Sequence, residues 1–144
     1  MKLRYLACLG LLILPACSPS QPTGDVMATV SASGKLTLNG APLEFYQVLF
    51  FPTDGRPAAG ITGADGKFVL GTNGTDDGAM VGTHKVAVNW VGPPSTDPNE
   101  GMTEFTSPPP PTVEIDPKYS NPETSGIVIE VPASGSEELK VDLQ

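Results

Sequence analysis

The chain has 144 residues, of which 17% are charged, and a net charge of −8 at pH 7. That length holds one domain once a targeting segment is set aside, and the acidic balance argues against nucleic acid or an anionic lipid surface as a binding partner. Glycine and proline, at 16 residues each, favour turns over helices.

In chain order, Lys2 and Arg4 precede an apolar run from Tyr5 to Leu14. Such a run matches a secretory signal peptide and is too short to cross a bilayer as a helix. Leu14-Pro15-Ala16-Cys17 then places small residues before a cysteine. This resembles the lipobox of bacterial lipoproteins, which implies cleavage after residue 16 and lipidation of Cys17 by a diacylglyceryl group and palmitate. The only other cysteine, Cys8, lies inside the signal segment, so its removal leaves no disulfide partner. Two acyl chains hold a protein durably on a membrane where one holds it marginally. Loss of residues 1–16 leaves 6 basic and 16 acidic residues, a net charge of −10. Residues 17–25 then form the lipidated cysteine and a polar Ser/Pro/Gly tether.

From residue 26 onward short apolar alternations are separated by turn residues, the pattern of strands. Val26, Ala28 and Val30 alternate, as do Leu36 and Leu38, which end at the hairpin signal Asn39-Gly40. Leu43 to Phe51 reads as one strand closed by Pro52, with Val48 and Phe50 on one face. Leu43, Phe45, Leu49 and Phe51 then fall on the opposite face, which makes the strand apolar on both sides. Phe68 and Leu70 follow the turn Asp65-Gly66. The clearest strand is "THKVAVNW", with His84, Val86, Val88 and Trp90 on one face. Ile127, Ile129 and Val131 form another, and Leu139, Val141 and Leu143 the last. Seven or eight short strands without a helix predict an all-β, antiparallel sandwich of two packed sheets over residues 26–144.

The segments "GKLTLNGAPL", "VLFFP", "AGITGADGKFVL", "GTHKVAV" and "DPKYSNPETSGIVIEV", in this order after a lipobox, resemble the short bacterial lipoproteins that carry a carboxypeptidase regulatory-like domain. The resemblance implies a transthyretin-like (prealbumin-like) sandwich without catalytic function. Phe45-Tyr46 departs from that pattern, which has small residues there. These aromatics must turn outward or repack the end of the sandwich. His84 also stands where tyrosine is common.

Chemistry-bearing residues are few. His84 is the only histidine, and its place on an apolar face reads as a core-edge residue bonded to backbone. Catalysis would need a nucleophile or acid beside it, and no Gly-x-Ser-x-Gly elbow is present. Asn73, Thr75 and Asp77 sit at positions 1, 3 and 5 of a calcium-loop pattern with Gly78 at 6, but His84 occupies position 12 where a glutamate belongs. A solvated turn is the expectation, with no metal and no cofactor. Residues 92–112 form a long proline-rich loop. In it Pro108, Pro109, Pro110 and Pro111 favour a stiff polyproline II segment, and Met102 and Phe105 are apolar residues in polar surroundings.

The expectation is therefore a non-enzymatic module held on a cell-envelope membrane by an N-terminal lipid. It contacts an envelope protein or a polysaccharide through the proline-rich loop and the 43–51 strand. Ser18 after the lipidated cysteine favours the outer membrane in a diderm cell. The alternative is a carbohydrate-binding sandwich, which requires exposed aromatics such as Tyr46, Trp90 or Tyr119.

Overall fold

The computed structural model describes residues 26–94 and 107–144. They form eight strands and one short 3-10 turn: β1 (Ala32–Leu38), β2 (Ala41–Pro42), β3 (Tyr46–Pro52), β4 (Ala58–Ile61), β5 (Lys67–Val69), β6 (Gly82–Trp90), η1 (Pro117–Ser120), β7 (Val128–Val131) and β8 (Ser136–Leu143). Two four-stranded sheets result, and the protein is an all-β sandwich. Residues 1–25, with Cys17 among them, and Met102 and Phe105 lie outside the described residues.

β1 is the central strand of the first sheet. β8 pairs with it in parallel from Ala32↔Ser136 to Leu38↔Leu143. A strand has only two edges, so β5 and β2 share the other one, each antiparallel to β1. The parallel β1–β8 pair departs from the wholly antiparallel expectation, and it joins the first and last strands of the domain. The second sheet runs β4-β3-β6-β7, all antiparallel.

The predicted alternation appears where one face is buried. His84, Val86 and Val88 of β6 point inward, as do Leu139, Val141 and Leu143 of β8. The apolar residues among these form one core with Leu36, Val48, Phe50, Phe68 and Val131. The Phe50 and Phe68 rings, one from each sheet, approach to 6.0 Å. Burying each large side chain contributes about 1.5–3 kcal/mol relative to leaving it in water. Asn39 (φ 50°) and Gly40 (φ 85°) close the two-residue hairpin between β1 and β2.

Two sequence expectations change. The 26–30 segment forms no strand of its own; Val30 makes a single bridge to Ala79. The strand expected from Leu43 starts instead at Tyr46. Phe45 takes a left-handed backbone (φ 63°), which resets the alternation by one residue. Leu43 and Tyr46 both turn inward as a result, each 2% exposed. Leu43 is thus a core residue and not part of an outer apolar face. The break is held by Thr62, whose carbonyl accepts from the Phe45 amide at 2.9 Å and whose hydroxyl accepts from the Tyr46 amide at 3.0 Å.

The β1–β8 pairing leaves no room at Gly34. A methyl group there would sit 2.1 Å from the Leu139 carbonyl oxygen, whereas at Gly40 it would meet nothing within 4 Å. Gly34→Ala is expected to lower stability by about 3 kcal/mol through overpacking against backbone. Gly40→Ala should cost about 1 kcal/mol from its positive φ alone. Urea unfolding of both variants checks this ordering.

Candidate functional site

The sandwich has two distinct ends. β6 runs from Gly82 at one to Trp90 at the other, about 26 Å at 3.3 Å per residue. Its ladder with β3 pairs His84 with Pro52 and Trp90 with Tyr46. The N-terminal segment joins at the His84 end, where Val30 exchanges backbone bonds with Ala79 at 2.9 and 3.0 Å. The described part of the proline-rich segment joins at the Trp90 end.

At the His84 end the histidine is fully buried. The Met80 carbonyl lies 2.8 Å from Nε2; a carbonyl only accepts, so Nε2 carries the proton. Among the described residues Nδ1 is buried without a hydrogen-bond partner and no nucleophile or acid is bonded to the ring; the Phe50 ring lies 5.8 Å away. The geometry is that of a core histidine tied to backbone.

In the Asn73–Gly78 loop beside it the Asn73 and Asp77 side chains bond to backbone. Asp77 accepts from the Thr72 amide at 2.7 Å and from the Asn73 amide at 3.1 Å. Asn73 accepts from the Met27 amide at 2.8 Å and donates to the Met27 carbonyl at 2.9 Å. These contacts stitch the N-terminal segment to the loop. Asn73 and Asp77 thus carry backbone hydrogen bonds, Thr75 is solvent-exposed, and the described residues hold no group of three or more His, Cys, Asp or Glu side chains that could hold a metal ion.

The Trp90 end is built differently. Trp90 Nε1 donates to the Pro109 carbonyl at 2.7 Å. The Tyr46 and Trp90 rings meet edge to face, 5.0 Å apart. Tyr46 Oη donates to the Val113 carbonyl. Burial pushes the Tyr46 phenol above its ordinary pKa and the Glu114 carboxylate adds to the shift, so the hydroxyl keeps its donor proton at neutral pH. Gly92 has φ 77°, and a Cβ there would sit 2.6 Å from Pro108. Glycine at this position both makes the turn and lets the proline strap close on Trp90. Pro108, Pro109 and Pro110 remain exposed on their outer side and Pro111 is half-buried. Beside the strap runs an open groove lined by Glu44, Phe45, Trp90 and Thr112.

Of the residues expected to form an interaction surface, Phe45 and Pro108 to Pro111 thus come together at one end. Leu49 and Phe51 lie half-buried on the outer face of β3, paired with Ala87 and Lys85 of β6. Phe51 shares a second groove with Lys85, Glu123 and Val128, in which Lys85 and Glu123 form an ion pair at 2.6 Å. The strap meets the sandwich at Trp90, Gly92 and Tyr46, at the end of β3, rather than over Leu49 and Phe51. Tyr46 and Tyr119 are 2% and 5% exposed, so neither offers a sugar-stacking face. Tyr119 is anchored through its hydroxyl to the backbone of Gln144 at 2.9 and 3.1 Å. The sequence marked Trp90 as a core residue and Tyr46 as a misfit; their pairing under the prolines follows from the β3–β6 register.

Comparison with protein-family models, curated proteins and solved structures finds no match to the chain.

Backbone amides hold the Asp77 carboxyl below the ordinary aspartate pKa, the Thr72 amide foremost. A depressed folded pKa stabilises the loop above the unfolded value, and this support is lost as pH falls through the folded value. The Thr72 and Asn73 amides should therefore be protected from hydrogen exchange at neutral pH and lose that protection only below the usual aspartate range. In Asp77→Asn the acid-dependent step should disappear; NMR exchange measured across acid pH reads both outcomes.

Proposed function

We propose that this protein is a non-enzymatic, lipid-anchored module of the cell envelope that contacts a protein partner with the end bearing Trp90 and the proline strap. The observation that carries this reading is the polarity of the sandwich. The N-terminal segment is tied to the Asn73 and Ala79 end, and the strap sits at the opposite end of β6. Cys17 as the lipid-bearing residue would place the His84 end next to the membrane. The eight residues of the tether reach at most about 28 Å. The strap would then face away from the bilayer, towards whatever shares the compartment. A run of four prolines suits that role, because it is stiff and loses little entropy on contact.

Two variants test this in cells. Cys17→Ser should lose palmitate labelling and leave the membrane fraction; a Cys17→Ser protein that still labels and still sediments with membranes contradicts the anchor. A photo-cross-linking amino acid at Pro110, exposed on the strap, should capture a discrete protein partner. The same group at Asp54, in the loop at the His84 end, should capture none. Adducts from position 54 with none from position 110 would reverse the proposed orientation.

A further inference from the structure

We infer that the Trp90 end of the sandwich is a binding cradle for extended proline-rich polypeptide, occupied in the structure by the chain's own Pro108–Pro111. Three features point to it. The first is the fit between cradle and occupant. An indole N–H donates to a proline carbonyl, Trp90 Nε1 to Pro109 at 2.7 Å. A second aromatic, Tyr46, supports the indole edge-on at 5.0 Å and holds the strap again through the Val113 carbonyl. Proline carbonyls suit this use because consecutive prolines have no backbone N–H to satisfy, while their fixed φ leaves carbonyls and ring edges projecting outward. Aromatic grooves with a few fixed donors read such segments.

The second feature is Phe45. It is a bulky residue at φ 63°, where side chains are rarely found without a reason elsewhere in the structure. Its backbone is clamped on both sides, the amide to the Thr62 carbonyl at 2.9 Å and the carbonyl to the Val91 amide at 3.1 Å. A glycine would occupy this position without strain. Phe45 instead places a half-exposed ring on the groove beside the strap.

The third is that the strap does not fill the site. Among the described residues the groove along Glu44, Phe45 and Thr112 stays open next to it, so a second extended chain has an approach from which to displace the first. The cellular use of such a cradle rests on the interaction reading above, with the partner now given a chemistry: an extended segment rich in proline. The binding itself does not depend on that reading.

Trp90 is the only tryptophan, which makes its fluorescence a direct reporter. The experiment uses full-length protein in detergent and a synthetic peptide with the sequence of residues 107–113. A variant with serine or glycine at positions 108–111 vacates the cradle. Its Trp90 emission should shift to the red, and the peptide should reverse the shift saturably. Wild type should need at least about tenfold more peptide, because its own strap competes at an effective concentration in the millimolar range. A control peptide with alanine in place of the four prolines should do nothing. Phe45→Gly in the vacated variant should unfold at the same or a higher midpoint, yet bind the peptide about fivefold more weakly. Absence of a saturable change up to about 10 mM peptide, well above that effective concentration, would overturn the proposal. An equal response to the control peptide would overturn it too. Should the vacated variant fail to fold, wild type with isotope-labelled peptide reads the same competition. Contacts from peptide prolines to the Trp90 indole then support the cradle, and their absence at 10 mM removes it. A negative result in this purified system leaves cross-linking from position 110 to be judged separately, so the two readings fail independently.

Discussion

The ladder between β3 and β6, from Tyr46↔Trp90 to Pro52↔His84, is the constraint on which the rest of the molecule depends. Its inward residues, Val48, Phe50, Val86 and Val88, are fully buried and supply the centre of the core. It also sets what each end of the sandwich contains. At one end His84 is closed in beneath Met80. At the other, two aromatic residues on neighbouring strands are forced into contact. A slip of one residue would turn Tyr46 and Trp90 to opposite faces and abolish the cradle. The left-handed turn at Phe45 protects that register, because it moves both Leu43 and Tyr46 into the core.

The two ends are fastened in different ways. At the His84 end the N-terminal segment is held by side chains acting on backbone, with Asn73 bonded twice to Met27 and the Thr29 hydroxyl donating to the Asp77 carbonyl at 2.6 Å. Such contacts satisfy donors and acceptors that would otherwise be left without partners, each contributing about 0.5–1.5 kcal/mol. At the Trp90 end a rigid strap is held by the Trp90 and Tyr46 donors. Among the described residues the strap is held by two side-chain hydrogen bonds, and the proposed exchange with another chain of the same chemistry needs only these to break. The proposed anchor and the proposed contact thus fall at opposite ends of the sandwich.

The sandwich itself was legible in the sequence. "THKVAVNW" alternates cleanly because β6 has one face in the core, and Asn39-Gly40 marks its hairpin because both residues accept positive φ. The break at Phe45 was hidden. In "LEFYQVLFF" apolar residues occupy both parities, so alternation cannot locate a one-residue reset, and the partners that hold it, Thr62 and Val91, are distant in sequence. The parallel partnership of β1 and β8 was hidden for a related reason, since it joins segments about 100 residues apart. The Asn73–Gly78 loop was ambiguous because the residue types that ligate calcium are those that cap turns, and only geometry shows the backbone bonds that Asn73 and Asp77 make. The prolines were recognisable as a stiff segment, but not their docking. Trp90 and Pro109 are 19 positions apart, and no local pattern links an indole to a carbonyl at that separation.

The central proposal is that the proline-bearing end faces away from the membrane to which a lipid on Cys17 would hold the protein. Energy transfer to a headgroup dye in lipid vesicles tests it most directly, with a donor fluorophore placed at position 54 or at position 110 of the lipidated protein. The account predicts strong transfer from position 54 and much weaker transfer from position 110, in keeping with a separation of about 26 Å along β6. Equal transfer from both positions, or stronger transfer from 110, would contradict it.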